Sequence, residues 1–157
     1  MSHARNVRRL VRKKLEKGSR SMIRRYITVP EPLPLFEIDG ETPVKDPDTG
    51  KAISVTFQKF LEGRTCDPAY VSDTPRDPTS VQWTMPMVVS GESVRAAFRG
   101  KDPGTVVALD EDDYMRLKTA TEKGAYHAVA AASLIGFMRG VTDAKTENPN
   151  EEGKDTP

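Results

Sequence analysis

Few residues in this chain belong to the types that perform chemistry, and they do not converge. His3 and His127 are the only histidines, and neither has a second imidazole at metal-ligand spacing. Cys66 is the single cysteine. It has no CxxC partner and no adjacent cationic helix start that would favour a thiolate. Ser90-Gly91-Glu92-Ser93 does not match a nucleophile elbow, and no phosphate-binding glycine motif occurs. The run Asp110-Glu111-Asp112-Asp113 has the charge of a cation site, but it lacks the glycine and terminal glutamate of a calcium loop. A helix start accounts for it, because carboxylates complement the positive end of the helix dipole. The expectation is a protein with no catalytic centre, no metal site and no cofactor.

Charge is the more informative signal. The net charge of +1 over 157 residues conceals an asymmetry. Residues 1–25 hold ten Arg or Lys against one acid, Glu16, whereas the remainder holds fourteen basic and twenty-two acidic side chains. At about 100° per residue, Arg5, Arg8, Arg9, Arg12 and Lys13 share one helix face, and Val7, Leu10, Val11 and Leu15 lie opposite. Lys14 interrupts the apolar face and Gly18 is a natural stop. The spacing predicts a basic amphipathic helix over about residues 4–17, marginal alone and firmer when its apolar stripe is covered. The five cations are the candidate contacts for a nucleic-acid backbone or a protein partner, and the four apolar residues are a candidate docking face. The same pattern fits an anionic membrane surface or an organelle transit peptide, and the arm is also free to fold back on its own acidic body. No base-reading module accompanies it.

The rest of the chain supplies one α+β domain. Ile23, Ile27 and Val29 alternate as in a strand, which Pro30, Pro32 and Pro34 end. Leu35–Ile38 reads as a second strand, Asp39-Gly40 as a tight turn into Thr42 and Val44, and residues 46–50 as another turn. Ile53, Phe57, Phe60 and Leu61 have helical spacing, with Ser54 as N-cap and Gly63 just past the end. Residues 64–80 read as a long irregular loop, of the kind that is functional or mobile. Trp83, Met85 and Met87 read as core first and interaction patch second, and Ser90 caps a helix through Phe98. Residues 105–109 suit a short strand or the lead-in to the next helix. Asp110 then caps a helix to Lys123, closed by Gly124, and a second helix over about 125–141 completes an αα-hairpin. Past Asp143 the tail is polar, and disorder is expected.

Met22-Ile23-Arg24-Arg25-Tyr26-Ile27-Thr28-Val29-Pro30-Glu31-Pro32, then Phe36–Gly40, then Leu109–Tyr114 with Leu117-Lys118, resembles small phage-encoded proteins of the virion and tail-assembly gene neighbourhood. The resemblance covers residues 22–142 by organisation. It implies a short N-terminal β-hairpin region followed by several short helices, and action through protein contacts without a cofactor. The arm before Met22 departs from that pattern, which makes Met22 a candidate alternative start.

The chain therefore divides into a basic arm (1–21), an α+β domain (22–142) and a polar tail (143–157). The expected function is a non-catalytic structural or assembly protein that contacts other subunits. The alternative is a nucleic-acid-binding accessory protein using the cationic face of the arm. No apolar run approaches the ~20 residues of a membrane span. An intracellular or virion location is expected, since no disulfide framework is available.

Overall fold

The computed structural model describes residues 23–72 and 81–151, and within them the chain is a mixed α+β protein. The basic arm, with Arg5, Arg8, Arg9, Arg12, Lys13 and the stripe Val7, Leu10, Val11 and Leu15, lies outside the described residues.

Strand β1 (Arg24–Thr28) pairs antiparallel with β4 (Val106–Asp110), with Ile27 opposite Val107 and Arg25 opposite Leu109. Ile27, Val107 and Leu109 are buried on the shared face, so the period-two alternation is realised as a half-buried sheet. The partner differs from the expected local hairpin, because burying Ile27 requires the apolar alternation that residues 106–110 carry. The pairing runs on through Val29, whose N–H donates to Thr105 O at 2.8 Å. On the other edge of β1, Tyr26 N–H donates to Lys145 O at 2.9 Å, and Ala144 packs on the core. The chain just past Asp143 is thus tied down by backbone pairing rather than by an apolar anchor of the kind sought in the sequence.

A small meander lies beside this sheet. Strand β2 (Leu33–Pro34) pairs antiparallel with β3 (Ser54–Val55), and Phe36 bridges Pro43 between them. The expected Asp39-Gly40 turn is present: Asp39 Oδ1 accepts from the N–H groups of Glu41 and Thr42, and Gly40 has φ +73°. Asp46 builds the second turn in the same way.

Helix α1 (Phe57–Thr65) begins two residues later than expected, because Thr56, not Ser54, accepts the capping bond from Lys59 N–H. It continues through Gly63, so residues 64 and 65 are helical rather than loop. A 3-10 turn (Pro68–Tyr70), capped by Asp67, follows and buries Ala69 and Tyr70. Residues 64–72 are therefore structured where an irregular loop was expected. Helix α2 (Met85–Phe98) starts well before Ser90. Pro86 sits in the first turn, where a missing N–H breaks no helical bond, so Thr84 is the N-cap and Ser90 lies mid-helix.

Helix α3 (Glu111–Lys123) has the expected bounds, with Tyr114 and Leu117 buried and Gly124 as C-cap. The expected second helix is divided into α4 (Ala128–Ala131) and α5 (Ile135–Thr142). At the break, Ser133 Oγ accepts from Phe36 N–H at 3.1 Å, which fastens the meander to the helices. Helix α5 packs along α3, and Tyr114 OH donates to Val141 O at 3.1 Å.

The core gathers around Phe57. Its ring lies 5.5 Å from Phe98 and 5.3 Å from Phe137 in edge-on geometry, and 5.9 Å from Phe60 in a stacked one. Edge-on pairs add to area burial, because the positive ring edge meets the negative face. Three helices therefore meet at one side chain. Among the described residues no helix is long and apolar enough to cross a membrane.

Candidate functional site: the outward face of helix α2

The residues of chemical type are not brought together. His127 is exposed at the start of α4, Cys66 is exposed at the end of α1, and the acids of residues 110–113 open α3. Among the described residues no group of His, Cys, Asp or Glu is placed to hold a metal ion. Asp110 makes no side-chain capping bond to the helix that it begins. Its carboxylate and that of Asp112 are exposed and take part in no ion pair among the described residues.

The core expected to hold Trp83, Met85 and Met87 does not include them. Met85 is 75% exposed, Val89 58%, Val88 45% and Trp83 39%. The reason is geometric. Once Pro86 is placed in the first turn, α2 directs Val94 and Phe98 into the core from its C-terminal half, and Met85, Val88 and Val89 of its N-terminal half stay exposed. The result is a run of large apolar side chains on one exposed half-helix, unlike the scattered single hydrophobics of ordinary surfaces.

Beside this run lies a groove of about 220 Å³ lined by Thr65, Cys66, Trp83, Met87, Val88, Gly91 and Arg95. Gly91, buried, lies where α2 packs on the end of α1: a Cβ there would stand 3.4 Å from the carbonyl oxygen of Thr65, about contact distance. Arg95 closes one end. Its Nη1 donates to Thr65 Oγ1 at 2.9 Å and lies 3.6 Å from Cys66 Sγ, while its Nε donates to Glu92 Oε2 at 3.1 Å. The groove is below the ~300–1,000 Å³ usual for small-molecule and cofactor sites, and its walls are mostly apolar. It fits one or two inserted side chains.

Behind the face runs a hydrogen-bond chain. Ser90 Oγ donates to the Asp113 carboxylate, which leaves Tyr70 OH as donor to Ser90 Oγ at 2.8 Å. Burial pushes the Tyr70 phenol up to about 12, so it stays protonated at neutral pH and donates. With Tyr70 buried and Asp113 half-buried, the chain holds α2 against α3 and the 3-10 turn. On the other flank of the same first turn of α3, Arg25 Nε and Nη2 donate to Glu111 at 2.7 and 3.0 Å. That two-pronged contact holds the Glu111 carboxyl below its ordinary range.

No protein-family model, curated protein or solved structure matches this chain. Its function is therefore argued from its own surface. Sequence reasoning missed Gly91, Arg95 and the Tyr70–Ser90–Asp113 chain, because each acts between elements distant in sequence. Trp83, Met85, Val88 and Val89 carried a usable signal: apolar residues beginning a helix at a proline, ahead of the positions that reach the core.

Proposed function

We propose that this protein is a non-catalytic assembly component that works through protein contacts, and that the N-terminal half of α2 with its groove is the contact surface. The observation that carries the reading is the exposed apolar run Trp83, Met85, Val88 and Val89 beside a groove of side-chain size. The partner it fits is an amphipathic helix that inserts apolar side chains and carries cations on its flanks. The cationic requirement follows from the exposed carboxylates of Asp110 and Asp112, which make no ion pair among the described residues, and from the excess of acids after residue 25. A place in a phage particle or tail-assembly apparatus, as the resemblance implies, suits such a protein.

Trp83 is the only tryptophan and Cys66 the only cysteine, so both report on this surface without competing signals. Titration with a synthetic helical peptide, Leu at i, i+3, i+4 and i+7 and Lys elsewhere, should blue-shift Trp83 emission and slow Cys66 alkylation saturably. A Leu/Glu peptide of the same pattern should bind more weakly. No saturable response to either peptide overturns the reading.

The second reading, a nucleic-acid accessory protein, draws on the cationic face Arg5, Arg8, Arg9, Arg12 and Lys13. It requires affinity for random duplex to fall with salt at a log–log slope of about −0.9 per neutralised phosphate. Reversing Arg8 and Arg12 to Glu should then reduce that slope.

A further inference from the structure

We infer that the chain carries its own occupant for this surface: residues 4–17 lie in cis on the exposed half of α2 and cover it until a partner displaces them. The inference rests on the reading of α2 as a contact surface and adds a regulator to it.

Three observations point to this segment. The first is pattern. Val7, Leu10, Val11 and Leu15 stand at i, i+3, i+4 and i+8, the anchor spacing with which a helix fills an apolar groove. The second is length and place. A helix over residues 4–17 spans about 21 Å, enough to cover the exposed N-terminal half of the fourteen-residue α2. The described chain begins at Ile23, beside Arg24, which pairs with Asp110. Arg25 is fastened to Glu111 and Ser90 to Asp113, so the entry of the chain and the middle of α2 meet the same first turn of α3 from its two flanks. A helix is ~10–12 Å across. The five residues 18–22, including Gly18, reach up to ~17 Å when extended, enough to cross that turn. The third is charge. Asp110 and Asp112, both exposed and without an ion pair among the described residues, belong to that same turn. Their charge is complementary to that of an arm with Arg5, Arg8, Arg9, Arg12 and Lys13.

The tether makes weak contacts sufficient. A short flexible linker gives an effective concentration of order mM, so a segment that binds in trans at ~100 μM would be docked in about nine of ten molecules. A partner helix must then displace the arm, and its apparent affinity falls about tenfold from that of an uncovered surface.

The test uses the full chain. Leu10→Asp with Leu15→Asp should red-shift Trp83 emission, increase its quenching by acrylamide and raise the rate of Cys66 alkylation. Arg8→Glu with Arg12→Glu should do the same to a smaller degree. The wild-type signals should not change with protein concentration. The Leu/Lys peptide should bind the Leu10→Asp, Leu15→Asp chain about tenfold more tightly than wild type. Trp83 and Cys66 signals identical in wild type and Leu10→Asp, Leu15→Asp overturn the inference. So does a difference that grows with protein concentration, which would assign the surface to the arm of a second copy. In either case the peptide still binds if α2 is a contact surface, so the two readings fail separately.

Discussion

The guanidinium carbon of Arg64 lies 3.9 Å from the centroid of the Tyr126 ring, stacked on its face at the point where α1, α3 and the chain after Gly124 meet. Arg64 is 8% exposed. Its Nη1 donates to Ala120 O at 3.2 Å and its Nη2 to Ala125 O at 2.7 Å, and Asp67 lies 3.5 Å from Nη1. Asp67 Oδ2 also accepts from Ala125 N–H at 3.0 Å. One buried guanidinium thus bonds a carbonyl in the last turn of α3 and another in the chain after Gly124, with its charge met by Asp67.

Arg64→Ala should cost about 3–5 kcal/mol in urea denaturation, because it removes the counter-charge of the Asp67 carboxylate and the side-chain donor to Ala125 O. Arg64→Lys should recover only part, since a single ammonium cannot bond both carbonyls and stack on the ring.

Gly124 closes the same corner. A Cβ there would collide with Ala120 O and Arg64 Nη1. The Gly124→Ala chain should lose about 1–3 kcal/mol by thermal unfolding, from the shift forced on neighbouring backbone. Gly63→Ala, where a Cβ meets nothing within 4 Å and the backbone is helical, should be neutral or stabilising.

Alkaline pH should weaken the contact between α2 and α3. The folded-state Tyr70 phenol stands at about 12, above its ordinary value, so its stabilisation is complete below pH ~10 and is lost as pH rises toward 12. Tyr70→Phe should remove that part of the pH dependence. Ser90→Ala should cost about 1–2 kcal/mol at neutral pH, because Tyr70 OH and Asp113 each lose a partner. Urea midpoints measured between pH 7 and 12 check both.

Acid should act at the opposite flank of α3. Arg25 holds Glu111 below its ordinary range, so the pair stabilises the fold above the usual carboxylate pKa and ceases to do so as pH falls through the lowered value. Glu111→Gln should flatten the acid limb of a stability–pH profile while leaving the limb above neutrality unchanged.

Val88→Asp with Val89→Asp should lower the unfolding free energy in urea by no more than about 1.5 kcal/mol, the worth of an arm docked in about nine of ten molecules, because the buried face of α2 is carried by Val94 and Phe98. The same variant should lose the Trp83 response to the Leu/Lys peptide. Stability retained and binding lost would separate surface from core on one helix.

Local signals in the sequence were sufficient where local physics decides. The turn at Asp39-Gly40 needs only an Asx oxygen and a left-handed glycine, and both are contained in it. Helix α3 starts at its acids and ends at Gly124, because dipole complementarity and helix termination act within one turn. Alternation in residues 23–29 specified a strand and put Ile27 and Val29 on its buried face, while Ile23, grouped with them by the same alternation, is exposed.

What lay beyond was decided by contacts between distant residues. Alternation cannot name a partner strand, so the pairing of Ile27 with Val107 is a property of the assembled core. Whether Trp83 and Met85 lie inside or outside depends on where α2 crosses α1, which the burial of Val94 and Phe98 at the other end of the helix decides. Composition alone favours burial for such residues, and only the path of the helix exposes them. By itself the sequence determined the turns, the bounds of α3, and the two-faced pattern and charge of the arm. The tertiary structure decided which strands pair, which polar groups reach each other, and that an apolar half-helix stands uncovered among the described residues beside the entry of the chain. The physical reason is range: dihedral preference and dipoles act within a few residues, whereas burial is settled only when distant segments exclude water together.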